Sequence, residues 1–164
     1  MRYILAFFLF SLCVFSQNDN SINKLTVSAG FQGIEMTYGL NLTEEIALGT
    51  SIGLGGGYSI EDQHLEYKIN FSEYIPFLKS NLGWYYNERK NNYVSFQTKY
   101  SFGRGSDVDY NKLILNEIHW GMNRKISKNV LFNFHLGFGD AYDFDTKSNR
   151  ITPTIGVTLK YSIL

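Results

Sequence analysis

The last fourteen residues, Ile151 to Leu164, constrain the fold of this chain more than any other stretch. From Ile151 to Ile163 the odd positions are apolar or aromatic, with Pro153 the one atypical member. The even positions are Thr152, Thr154, Gly156, Thr158, Lys160 and Ser162. A period of two gives an extended segment one greasy face and one polar face. A two-faced strand of about ten residues is the unit of a transmembrane barrel.

The same alternation recurs upstream. Leu25, Val27, Ala29 and Phe31 alternate with Thr26, Ser28 and Gly30. After the turn signal Gln32-Gly33 the parity flips, and Ile34, Met36, Tyr38 and Leu40 share a face. That is a second strand, or one long strand bulged at Gly33. A third strand sets Ile46, Leu48, Thr50, Ile52, Leu54 and Tyr58 against Ala47, Gly49, Ser51, Gly53, Gly55 and Gly57. The wall of small residues implies an interior where large side chains from other strands need room. From Leu65 to Tyr86 we expect one long strand, bulged near Ser72-Glu73, with a separate hairpin arm as the alternative. Strands follow around Val94–Phe102, Tyr110–Met122 and Val130–Phe138.

With the closing stretch the tally is eight. The expected fold is therefore all-β, an eight-stranded antiparallel up-and-down transmembrane β-barrel, with a side-chain-filled lumen and no open pore. Compact turns at Asn41–Glu45, Asn87–Asn92 and Asn123–Asn129 alternate with looser connections at Ile60–His64, Gly103–Asp109 and Asp140–Arg150. Short turns on the periplasmic rim and longer loops outside are the usual asymmetry of such barrels. An even count puts both termini on the periplasmic rim.

The start of the chain carries an address. Met1-Arg2-Tyr3 precedes an apolar run from Ile4 to Phe15 broken only by Ser11, and Val14-Phe15-Ser16 leads into Gln17. This reads as a signal peptide over residues 1–16, with residues 17–164 as the outer-membrane β-barrel domain and Gln17–Asn23 a polar lead. Twelve apolar residues are too few to span a bilayer as a helix. Cys13, the one cysteine, lies inside this segment, so the mature chain carries neither disulfide nor thiolate. The formal charge is balanced at 15 basic and 15 acidic residues, which leaves no nucleic-acid footprint.

Alternation does not say which face is outside. A soluble, lipocalin-like secreted barrel would turn the apolar face inward. Here that face is large and aromatic on nearly every strand, including Tyr38, Trp84, Phe96, Tyr100, Trp120, Phe134, Phe138 and Tyr161, too much for an eight-stranded interior. The opposite face is Gly, Ser, Thr, Asn and charge, so lipid is the expected solvent of the apolar side. Ser80 and Lys112 fall on the lipid side, Lys112 near a rim where it can snorkel.

The inward face collects Glu35, Lys79, Lys99, Glu117, His119, His135 and Lys160, with Glu66 and Lys68 towards the loop end. Buried charges must pair, which makes an ion-pair plug the plain reading, with Lys99–Glu117 the first pair to look for. A narrow ion path, or a metal or acid–base site at His119 and His135 beside Glu117, is the sharper reading. Asp140, Asp143 and Asp145 recur in the last loop without the glycine and closing Glu of an EF-hand, so a solvated acidic loop is expected. No catalytic, cofactor-binding or metal-ligating residue is assigned, and no cofactor is expected.

The Phe15-Ser16-Gln17 junction, the strand end Trp84-Tyr85-Tyr86-Asn87 followed by Arg89-Lys90, and Pro153 to Tyr161 together resemble the small outer-membrane β-barrel proteins of Bacteroidota, of the general outer-membrane protein A type. The resemblance covers the mature chain and implies the cell outer membrane, outer-membrane lipid and the barrel-assembly machinery as partners, and an extracellular partner met through the loops. The chain ends on Ile163-Leu164 where such proteins commonly end on an aromatic. The expected role is structural or loop-mediated interaction, without enzymatic activity. The alternative is a lipid- or ligand-handling barrel, an enzyme or a carrier, since some eight-stranded barrels modify lipids with His and Ser near the outer rim.

Overall fold

The computed structural model describes residues 24–61, 64–68, 74–86, 91–103 and 110–163. The expected signal segment 1–16, the polar lead to Asn23 and residues 104–109 lie outside these. Among the described residues ten strands run in chain order: β1 (Lys24–Gly30), β2 (Gly33–Asn41), β3 (Ile46–Gly55), β4 (Gly57–Glu61), β5 (His64–Lys68), β6 (Ile75–Tyr85), β7 (Asn92–Ser101), β8 (Leu113–Lys125), β9 (Val130–Asp143) and β10 (Ser148–Ser162). Eight of them close into a barrel in the order β1-β10-β9-β8-β7-β6-β3-β2, every neighbour antiparallel. β4 and β5 pair with each other in a separate two-stranded arm.

Three expectations change. The long bulged strand from Leu65 to Tyr86 is two elements: β5 belongs to the arm, and the barrel strand begins at Ile75. Pro76 then sits at the second residue of a strand start, where a missing ladder donor costs least. Tyr58 likewise leaves the third strand, because β3 ends at Gly55. The long loop from Asp140 to Arg150 is a hairpin, with β9 reaching Asp143, β10 starting at Ser148 and Lys147 in the left-handed region (φ 56°). Gly33 resolves the first ambiguity as a hairpin, since its φ of 117° suits glycine after the short Phe31-Gln32 turn.

The ladder is strongly staggered. From Tyr161 the register steps through Val27, Met36, Ile52, Leu78, Tyr100, Ile114 and Tyr142 to Asn149, twelve residues earlier on the same strand. A larger stagger means more tilted strands and a wider cross-section. It also slants the upper rim. Gly30 pairs with Thr158, so the β1–β2 turn stops part-way up β10. Five of the 15 residues of β10 pair with β1, and Ser148–Val157 continue above with β9 as their ladder partner. β10 therefore closes the barrel as expected, but along its lower part alone. β5 also approaches β10.

Pro153 fits that free edge. The Ile163 amide donates to Leu25 of β1, and the Ser162 amide donates to Asn129 on the β9 side. Odd positions of β10 therefore aim their backbone groups towards β1 and even positions towards β9. Pro153 is odd and lies above the last β1 partner, where no donor is required.

Parity sorts the two faces as the sequence predicts. Ile34, Leu54, Leu82, Phe96, Ile118, Phe138, Ile151 and Ile155 point outward and are half or more exposed, except Leu82 at 46%. Lys99, Glu117, His119, Ser95 and Asn133 point inward and are buried. This is the reverse of a lipocalin-like barrel. Trp84, Tyr86 and Trp120 cluster at the lower rim, where the Trp120 indole donates to the Tyr86 hydroxyl (2.6 Å) and the Trp84 indole to Glu45 (3.2 Å). Tyr100, Phe102, Tyr142 and Phe144 form a second cluster at the upper rim, with ring centroids 5.0–6.0 Å apart. One register row crosses the outer face with polar side chains: Thr50, Ser80, Thr98, Asn116 and Asp140. Thr98 donates to Asn116 (2.9 Å), and Asp140 at the row's acidic end lies two residues from Tyr142 of the upper aromatic cluster.

Candidate functional site

The candidate site is the lumen, and its two halves differ. Ile75 and Phe77 of β6, Leu113 and Leu115 of β8, Ala141 of β9 and Tyr110 fill the upper section, each 5% exposed or less. Tyr110, expected at the start of a strand, instead precedes β8, which starts at Leu113, and its ring packs inside against Gly57. Below this plug lies a cavity of about 520 Å³. It reaches the lower rim at Glu44, Glu45, Asn91 and Lys125, and runs sideways to the β1–β2 turn at Gln32-Gly33. The expected filling thus holds for the upper lumen alone. The stagger widens the barrel, and β1 to β3 present Ser28, Thr37, Gly49 and Ser51, too small to fill the lower half.

Two groups of charged side chains meet at the cavity roof. On one wall Lys79 forms an ion pair with Glu35, which also accepts a hydrogen bond from Ser28 (3.1 Å). Lys79 crosses the inner face of β3 to reach β2, a path left open by Ser51 and Gly53. Lys160 approaches the same pair from β10.

On the facing wall His119 and His135 lie with ring centroids 4.5 Å apart and planes tilted by 33°. The register sets them diagonally, His119 opposite Gly137 and His135 opposite Gly121 and Gly156. The glycines are space: a Cβ on Gly156 would meet the His135 ring, and one on Gly121 the Tyr93 ring. Glu117 Oε1 stands 2.7 Å from His119 Nδ1 and 3.8 Å from His135 Nε2. The shorter approach is off the line of a hydrogen bond, so it is an electrostatic contact. Tyr93 meets His119 edge-on (5.8 Å) and accepts a hydrogen bond from the Asn133 amide (2.8 Å).

The expected Lys99–Glu117 pair is displaced. Glu117 sits across from Gln97 and contacts the histidines, while Lys99 sits across from Leu115 with its ammonium 4.2 Å from the centre of the Phe77 ring. Glu66 and Lys68 are on β5, so they belong to the arm and not to the barrel wall. Ser95 lies opposite His119, but its hydroxyl donates to the Leu82 carbonyl (3.1 Å). Among the described residues no group of three or more His, Cys, Asp or Glu is disposed to hold a metal ion.

The three aspartates separate. Asp143 is fully buried, accepts from Asn111 (2.6 Å) and caps the β9–β10 turn through the amides of Asp145 and Thr146. Asp145 accepts from the Lys112 amide (2.8 Å), and Asp140 faces outward in the polar row. The solvated acidic loop is instead a tied turn. The sequence also misses Tyr85 and Tyr93, whose rings line the cavity 5.4 Å apart.

The fold and site define an eight-stranded antiparallel barrel with charged groups inside and an apolar, aromatic exterior. No protein-family model and no curated protein matches the chain. Among solved structures it is similar to the outer membrane channel DcaP of Acinetobacter baumannii, with a TM-score of 0.34 and 14% identity over 80% of this chain and 40% of that one. The matched part of this chain spans about two fifths of that channel's length.

Proposed function

We propose that this chain is an integral outer-membrane barrel of structural or loop-mediated interaction role, whose plugged upper lumen conducts no solute. One observation carries the reading: the apolar face surrounds a closed barrel and is bounded at both rims by aromatic clusters. Soluble monomers rarely expose contiguous apolar patches beyond a few hundred Å² (about 300–600 Å² at most). Lipid is the solvent that suits such a surface, and Trp and Tyr at its two edges suit the membrane interfaces. The polar row is tolerable on the same grounds, because the cost of a polar group on a lipid face falls towards the interface, where Asp140 lies.

The narrower kinship with small barrels of the outer-membrane protein A type belongs to this proposal, as do the signal peptide, assembly by the barrel machinery and an extracellular partner. The rim bearing the β4–β5 arm is the one to meet that partner, since loops on a rigid scaffold carry recognition. Two measurements test the reading. Fractionation should place the protein in the outer membrane with migration on gels that changes on heating. Vesicles reconstituted with it should stay impermeable to small sugars. Recovery as a soluble protein without detergent overturns the membrane setting, and sugar entry overturns the plug.

A further inference from the structure

Among the described residues the luminal cavity is covered above by the apolar plug and has hydrogen-bond donors at its roof. Lys79 and Lys160 face Glu35, so two cations share one carboxylate. Lys79 takes the ion pair, and among the described residues Lys160 has neither an ion pair nor a hydrogen bond. Gln97, 5% exposed, lines the cavity from the opposite wall with its side-chain nitrogen lacking an acceptor. His135 Nε2, on the same cavity, already faces the Glu117 carboxylate at 3.8 Å and is left out of the donor set. Buried donors and a surplus cation are costly unless acceptors and negative charge reach them. A cavity of about 520 Å³ is within the usual range of small-ligand sites.

We propose that the roof of this cavity binds a small oxyanion, held by Lys160 and Lys79 and oriented by Gln97, entering from the lower rim. Carboxylate and phosphate share the needed chemistry, acceptor oxygens that take charge-assisted hydrogen bonds from lysine and amide donors. The anion is either free in the periplasmic solution or the headgroup of a lipid reaching in past the rim. The inference depends on the membrane reading for the choice of detergent, and gel migration on heating reports folding independently in every sample.

The test follows the Gln97 side-chain amide by NMR in the folded protein in neutral detergent. Inorganic phosphate, titrated against sodium chloride, should move this signal saturably. Lys160→Met should weaken that binding about ten-fold, as expected for the loss of one charge-assisted hydrogen bond. Lys160→Arg should bind within about three-fold of the parent, because it restores the charge. Lys112→Met, on the exterior, should bind like the parent. If the lipid headgroup is the source, the signal moves on adding phosphatidylglycerol and free phosphate no longer shifts it. An amide indifferent to both probes, or undiminished binding in Lys160→Met, overturns the proposal. Should Lys160→Met not fold, Gln97→Leu followed by calorimetry with phosphate decides in the same sense.

Discussion

At the scale of single residues, the lumen is organised by what its glycines leave empty. Gly156 and Gly121 make room for the His135 and Tyr93 rings, which hold one wall of the cavity. Gly156→Val should therefore lower stability by about 1–3 kcal/mol, the usual cost of overpacking, read as a lower urea midpoint for the heat-sensitive folded band. An unchanged midpoint would show that His135 is free to swing away. Tyr93→Phe removes one acceptor of the Asn133 amide, which keeps Asn123 (2.9 Å), and should cost about 0.5–1.5 kcal/mol in the same assay. Parity in the sequence assigned Glu35, Lys79, Lys99, Glu117, His119, His135 and Lys160 to the interior. It did not assign their partners, because a pairing such as Lys99 with Glu117 depends on register, and the register puts Gln97 opposite Glu117. Tyr93 shares the parity of Ser95 and Gln97, and that was the signal for its inward position.

At the scale of elements, β10 ties the barrel and leaves part of it untied. Along Ser148–Val157 the even-numbered backbone groups bond to β9 and the odd ones face the free edge. Amide exchange in detergent should alternate accordingly, with Thr152 and Thr154 protected and Asn149, Ile151 and Ile155 exchanging fast. Uniform protection would mean that the β4–β5 arm or another strand pairs along the edge. The arm takes no part in the barrel ladder, and Gly55 pairs directly with Ile75 across its base. Replacing residues 57–73 with a short Gly-Asn turn should therefore keep the heat-modifiable fold. Loss of that fold would make the arm a structural part of the wall. The sequence carried the alternation of β1 to β3 and β7 to β10 plainly. It hid the arm because Leu65, Tyr67, Ile69 and Phe71 alternate as a barrel strand does. It hid the ends of β9 and β10 because Asp140, Asp143 and Asp145 resemble a loop, although Asp143 is a buried turn cap.

At the scale of the whole molecule, a single sorting of side chains by parity accounts for both surfaces, and the stagger accounts for the cavity. A count of eight strands was legible in the sequence, but a stagger of twelve was not, because alternation is unchanged when two strands slide by two residues. The filled lumen expected from the count is for this reason half right. With parity sorted in this way, the alternating apolar face is the surface expected to meet lipid. The most direct measurement is the collision profile of nitroxide labels placed singly at 135–138 on β9 in bilayers. High oxygen and low nickel-complex collision rates are expected at Leu136 and Phe138, with oxygen access dropping at His135 and Gly137. High nickel-complex access at Leu136 and Phe138, or no alternation along the four sites, would contradict it.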